Sequence, residues 1–135
     1  MDLSKESAKS NFIFSELLPD YIELRSFTSG KVRVRVIDII RIEANKSYAV
    51  FHLKNNRPFI SSHNLTYQTK KLNSKYFFRA SKSCIINFFQ IDQISNALPV
   101  KAIMADQSEI LISRRRTTHF IAIYKLFLYE INKLV

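Results

Sequence analysis

The run "ISRRRTTHF", residues 112–120, places three fixed cations, Arg114, Arg115 and Arg116, between an apolar strand-like segment and an apolar helix-like one. If Ser113 starts the helix, the arginines fall in its first turn. Cations there oppose the helix dipole at about 0.3–1 kcal/mol each at an exposed site. Stability alone would place Asp or Glu at these positions. Helix N-terminal amides beside guanidinium groups instead suit an anion such as a phosphate. Two further loops join a cation to hydroxyl or amide groups: Asn45-Lys46-Ser47, followed by Tyr48, and Arg79 to Ser83, which contains Ser81 and Lys82. That inventory holds phosphates and reads base edges. Any one such loop, taken singly, is more often a solvated corner.

Residue types for catalysis or metal binding lack the necessary spacing. The histidines, His52, His63 and His119, fall in different segments, with no HxxxH, HExxH or Cys/His pattern. A single glycine excludes a glycine-rich phosphate loop, no GxSxG elbow occurs, and the acidic residues are scattered. The expectation is a protein that is not an enzyme, with no metal, cofactor or small-molecule substrate. Cys84 reads as a small buried hydrophobe, and His52 and His63 as structural or solvent-facing. His119 fits either the anion site or a surface helix position. The pairs Phe77-Phe78 and Phe88-Phe89 read as core.

Charge supports the loop reading. The 135-residue chain carries 21 Lys and Arg against 11 Asp and Glu, a formal charge of +10. Residues 1–30 hold three basic and five acidic side chains, so 3 − 5 = −2. Residues 31–135 hold the remaining 18 basic and 6 acidic, so 18 − 6 = +12. Positive charge concentrated in the folded part suits a polyanion, with nucleic acid first and an anionic membrane surface second. One cysteine excludes an internal disulfide framework and suits a reducing cytoplasm. No apolar run approaches the roughly 20 residues of a membrane span, and the polar start "MDLSKESAKSN" lacks the core of a secretory signal.

The elements that must position the loops are mostly strands. Residues 1–20 form a polar leader, partly disordered, with "FIFSELL" (12–18) as one short helical turn, and 21–135 form one domain. "YIELRSF" and "KVRVRV" make a hairpin around "TSG", with Val32, Val34 and Val36 on one face and Lys31, Arg33 and Arg35 on the other. "IDIIRIEA", "YAVFHL" and "PFIS" continue the strands, the last two joined by "KNNR". Residues 62–74 suggest a short helix with Leu65, Thr66, Thr69 and Leu72 on one face and Ser62 or Asn64 as cap. "YFFRASKSCIINFFQIDQIS" reads as two apolar patches separated by "RASKS", and "VKAIMA" with "EILIS" as a final hairpin. Phe120, Tyr124, Phe127, Ile131 and Leu134 line one side of an amphipathic C-terminal helix.

The order of these segments resembles the LytTR DNA-binding domain of bacterial transcription regulators. The resemblance rests on "DIIRIEANKSYAVFHL" (38–53), "FFRASKSCIINFFQIDQI" (77–94) and "EILISRRRTTHF" (109–120), and it spans residues 21 to 128. It implies a mainly β fold: an elongated arrangement of small antiparallel sheets with short helices, one central and one C-terminal and amphipathic. It also implies that three loops enter successive major grooves of double-stranded DNA. The loops would be Asn45, Lys46, Ser47 and Tyr48; then Ser81, Lys82 and Ser83; then Ser113, Arg114 and Arg115, with Arg116 added. Among the cations, Arg114 is the first choice for a base contact, with Lys46 and Lys82 beside it, and Arg79, Arg115 and Arg116 for phosphate.

Departures from the family pattern are visible. Ser81 stands where the family usually has His, and the hairpins carry Asn55-Asn56 and Asp106-Gln107 rather than Asp-Gly. Most members carry a phosphate-receiver domain ahead of this one; with some twenty polar residues before the first strand here, the expectation is a stand-alone domain without phosphorylation control. The implied function is a cytoplasmic, sequence-specific transcription regulator. A homodimer on repeated sites, through the C-terminal helix, and control by a membrane protein stand as further expectations. The other readings are an RNA or single-strand binder that stacks bases on the Phe-rich strands, and a protein-interaction module that uses the terminal helix.

Overall fold

Period-two alternation decides the first elements. In the computed structural model, which describes residues 21–26, 28, 30–95 and 97–133, β1 (Tyr21–Ser26) and β2 (Gly30–Arg35) pair antiparallel from Tyr21↔Arg35 to Ser26↔Gly30. Leu24 and Val34 are buried while Arg33 and Arg35 are exposed. Gly30, at φ 73, takes the left-handed conformation that closes the hairpin without a Cβ clash. Val36 continues the buried face, but in a 3₁₀ turn, Val36–Asp38, rather than in the strand. The "FIFSELL" turn, the leader and Leu134 lie outside the described residues.

The chain then forms β3 (Ile39–Asn45), β4 (Tyr48–Leu53) and β5 (Phe59–Ser61). Asn55, at φ 59, supplies the left-handed residue of the "KNNR" turn. A short helix, α1 (Leu65–Lys71), follows, and Asn64 caps it by accepting from the Tyr67 amide at 2.9 Å. Its inward face is Leu65, Gln68 and Leu72, whereas Thr66 and Thr69 are exposed, so the face read from the sequence is corrected. A buried glutamine was missed because its partners are tertiary: Gln68 Nε2 donates to Ser61 Oγ at 3.2 Å and to the His63 carbonyl at 3.4 Å.

The segment "YFFRASKSCIINFFQIDQIS" contains three strands, β6 (Phe77–Ser81), β7 (Cys84–Asn87) and β8 (Ile91–Ser95), with a 3₁₀ turn at Phe88–Gln90. "RASKS" is therefore mostly strand, and only Lys82 and Ser83 form its turn. The final hairpin is β9 (Lys101–Met104) with β10 (Glu109–Leu111), and α2 (Thr117–Lys133) closes the fold. All strand pairs are antiparallel. One sheet has seven strands in the order β2-β1-β5-β4-β3-β7-β6, and a second has the order β10-β9-β8. The fold is mainly β with two short-to-medium helices, as the sequence implies. Rather than several small sheets, there is one long sheet whose β1–β5 junction is the single pair Ser26↔Ser61, plus a small one.

Phe88 organises the core around α2. Its ring lies 5.3 Å from Tyr124, 5.4 Å from Phe127 and 5.9 Å from Phe78. Phe89 meets Phe127 edge-on at 4.9 Å. Such pairs add about 0.5–1.5 kcal/mol each beyond the area they bury. The four phenylalanines of the two pairs are at most 7 % exposed, which leaves no aromatic platform there for bases. Two buried amides stitch the chain between elements. Asn87 Nδ2 donates to the Ile39 carbonyl at 2.8 Å, and Gln90 Nε2 donates to the Ile37 carbonyl.

Candidate nucleic-acid interface

Strand register brings the three basic loops to one end of the molecule. β3 and β4 are joined by Lys46 and Ser47, with Asn45 opposite Tyr48. β6 and β7 are joined by Lys82 and Ser83, with Ser81 opposite Cys84. Because β3 also pairs with β7, the two turns project side by side, and the Ala44 amide donates to the Ser83 carbonyl at 2.8 Å. At a strand spacing of about 4.8 Å their tips are roughly 10 Å apart. The third loop joins them through β6, where the Ser113 amide donates to the Ala80 carbonyl at 2.8 Å.

Each turn is built around its cation. Lys46 has φ 57, a left-handed conformation that costs a non-glycine residue about 1–2 kcal/mol. Asn45, Lys46 and Ser47 are exposed, and Tyr48 is half-buried. In the second turn the Ser83 amide donates to Ser81 Oγ at 3.2 Å, and the two serine hydroxyls lie 3.3 Å apart. Ser81, at the position where the family usually has His, is thus engaged within the turn, while Lys82 is exposed. Beneath it, burial pushes the Cys84 thiol up to about 11, so this cysteine is a packing residue.

Arg79 has a different place from the other basic residues. Each of its three guanidinium nitrogens donates to the protein: Nε to the Ser81 carbonyl at 2.9 Å, Nη2 to the Lys82 carbonyl at 2.6 Å, and Nη1 to Thr69 Oγ1 at 3.2 Å. The side chain clamps the second turn against α1. Burial lowers its proton affinity, and the charge of Arg116 lowers it further. The Arg116 guanidinium of the third loop thus stands close enough to disfavour the charge of Arg79, and an anion beside the pair relieves that field.

Arg114, Arg115 and Arg116 form a 3₁₀ turn that precedes α2, rather than its first α-helical turn. Ser113 sits at the cap position, but its hydroxyl caps no amide. It receives Arg116 Nη1 at 3.3 Å, while its carbonyl accepts from the Arg116 amide at 2.9 Å and from Thr117 Oγ1 at 3.1 Å. Arg114 and Arg115 are exposed and Arg116 is half-buried. His119 is exposed one turn on, its ring edge against Phe78 at 5.6 Å. No group of His, Cys, Asp and Glu suited to a metal ion occurs among the described residues.

Two cations at this end were not singled out from the sequence. The row Gly30–Ser26–Ser61–Ala49–Ala44 crosses the sheet to the loop end, and the Ser62 amide donates to the Arg25 carbonyl at 3.0 Å, so Arg25 and its partner Lys31 come one residue further toward that end. Nothing in the local sequence marks them, since their position depends on the single β1–β5 bridge. His52, by contrast, faces Glu43, with Nε2 3.1 Å from its carboxylate, and His63 stacks on Tyr67 at 4.0 Å.

Antiparallel sheets that present clustered cationic turns define a class of basic β domain with its cationic loops gathered at one end. The LytTr DNA-binding domain model matches residues 29–125. The chain therefore belongs to the LytTR DNA-binding domain family, which is a family of DNA-binding domains and not of enzymes. Among solved structures, it is similar to the LytTr DNA-binding domain of a protein described as a methyl-accepting/DNA response regulator from Bacillus cereus. The TM-score is 0.66 at 17 % identity, over 78 % of this chain and 97 % of that one, which is a likeness of fold. No curated protein matches the sequence. No helix among the described residues is long and apolar enough to cross a membrane.

Proposed function

We propose that the protein is a sequence-specific transcription regulator whose three loops enter the major groove of double-stranded DNA. One observation carries this reading: three cationic turns, far apart in sequence, are tied together by the Ala44–Ser83 and Ala80–Ser113 backbone bonds. Holding like charges together costs free energy unless a polyanion neutralises them. The spacing of roughly 10 Å between the first two tips is comparable with the major-groove width of about 12 Å. In this reading Asn45, Lys46, Ser47, Tyr48, Ser81, Lys82 and Ser83 face the groove. Ser113 shapes the third loop, and Arg114 reads a base. Arg115 and Arg116 hold phosphate. Arg79 acts from behind, as the clamp of the second loop, which replaces the phosphate role assigned to it from the sequence.

The DNA-binding part is residues 21–135, with the polar leader at 1–20. A homodimer on repeated sites and a membrane-protein regulator belong to the same proposal. The single-strand reading is disfavoured by the burial of Phe77, Phe78, Phe88 and Phe89.

The test selects bound fragments from random duplex DNA and then compares two variants on the selected site and on random duplex. Arg114→Ala loses about 1–3 kcal/mol on the selected site and relaxes one position. Arg116→Ala weakens both duplexes alike and reduces the salt slope by about 0.9. Equal losses on both duplexes for Arg114→Ala refute its base-reading role, and unchanged binding for both variants refutes the interface.

A further inference from the structure

A second basic feature lies at the opposite end of the sheet from the DNA-facing loops. A groove of about 620 Å³ is lined by Val32, Arg33, Val34 and Arg35 of β2, by Arg57 of the β4–β5 connection and by Phe59 of β5. β2 is the outermost strand of the seven-stranded sheet, so the edge it turns away from β1 has no strand neighbour among the described residues. Consecutive residues of both parities line the groove, so it follows the length of β2. An exposed strand edge is a template for another chain.

Charge selects which chain. Lys31, Arg33 and Arg35 alternate along the exposed face of β2, and a second copy of the same strand would meet them with like charge. Arg33 stacks over the Tyr21 ring at 4.5 Å. Arg35 reaches Asp38 only at 3.9 Å, and Asp38 is the one acidic residue lining the groove. Arg33 and Arg57 have no carboxylate partner among the described residues. The floor is apolar, with Val34 buried and Phe59 half-buried. Cations on one face of β2 and valines on the other match an extended segment of alternating acidic and apolar residues.

We propose that the β2 edge and this groove form a docking site for an extended acidic segment of a partner protein, which adds as a strand beside β2 and pairs its carboxylates with Arg33, Arg35 and Arg57. The groove lies at the Leu53 end of β4 and the DNA-facing turn at the Tyr48 end, so both sites are open to occupation at once. The inference does not depend on the DNA reading.

The test uses the full chain and a short fluorescein-labelled peptide of alternating glutamate and valine. Controls are the lysine-valine counterpart, an N-methylated glutamate-valine peptide and free glutamate. Binding is followed by anisotropy, and its location by amide hydrogen exchange. The expected result is binding of the glutamate-valine peptide alone, with new amide protection in β2. Arg33→Gln with Arg57→Gln weakens it at least tenfold, while the charge-matched Lys70→Gln with Lys125→Gln changes it less than twofold. The proposal is overturned by no binding at millimolar peptide, by equal weakening in both double variants, or by equal competition from free glutamate. Protection at Lys46, Lys82 and Arg114 instead of β2 also overturns it. Duplex-DNA affinity, measured in parallel, shows separately whether the loop end works.

Discussion

Replacing Arg79 with Ala separates a clamp from a phosphate ligand. The side chain makes three hydrogen bonds, two of them to the carbonyls of Ser81 and Lys82 at 2.9 and 2.6 Å. A bond from a charged group contributes about 1.5–3 kcal/mol when buried. Arg79 is half-buried, so solvent reduces each carbonyl bond to about 1 kcal/mol, and the 3.2 Å bond to Thr69 adds little. Relief of repulsion with Arg116 returns up to about 0.5 kcal/mol. The net loss is therefore about 2 kcal/mol, and for a domain of this size Tm falls by roughly 6–8 °C. The second turn loosens, and affinity for a duplex falls by up to about tenfold with an unchanged salt slope. Thermal unfolding and fluorescence titrations across a salt series measure both. A slope reduced by about 0.9 with Tm unaltered would refute the clamp and make Arg79 a phosphate ligand. Arg79→Lys is the second arm: it keeps the charge but loses the planar fork, so it is expected to follow Ala in Tm. Full recovery of Tm by lysine would also refute the argument.

Further outcomes follow from single sites. Lys46→Asn relieves the left-handed strain and raises stability by a few tenths to about 1 kcal/mol in urea unfolding, yet weakens duplex binding, so the two readouts move in opposite directions. Asn87→Ala orphans the Ile39 carbonyl and the Phe89 amide, which the native side chain holds at 2.8 and 3.0 Å, and costs about 2–3 kcal/mol by the same assay. Cys84 in the native protein resists iodoacetamide at pH 8 and reacts only as the chain unfolds; rapid alkylation of folded protein would contradict its burial. Its thiol is raised from 9.0 to about 11 in the fold, which favours the neutral form there. This contribution to stability is complete below pH 9 and is lost as pH rises through about 11, a dependence that Cys84→Ala removes.

What was legible from the residues was mostly local. The strand alternation of "KVRVRV", the helical spacing of Phe120, Tyr124, Phe127 and Ile131, and the asparagine in the "KNNR" turn are written in neighbouring positions, and the structure has all three. The three basic loops were also visible as residue types, and their order carried the family. Gln68 was not foreseen as buried, nor Arg79 as hydrogen-bonded, because each has a partner in another element, Ser61 of β5 and Thr69 of α1. A guanidinium beside Ser81 and Lys82 looks like a free cation until β6 is seen to run through residue 81 and Thr69 is brought alongside. The helix start at Ser113 differed: Arg114–Arg116 form a 3₁₀ turn before α2, and the Ser113 hydroxyl accepts from the Arg116 side chain and from no amide.

The sequence by itself determined the charge, the element types and the identity of each loop. Tertiary structure decided where the loops stand relative to one another, because strand order is set by pairings such as Ala44–Ser83, with no local signature. It also decided which arginines are occupied. An exposed Arg114, a half-buried Arg116 and a clamped Arg79 are the same residue type, distinguished only by the groups the fold brings within hydrogen-bond reach.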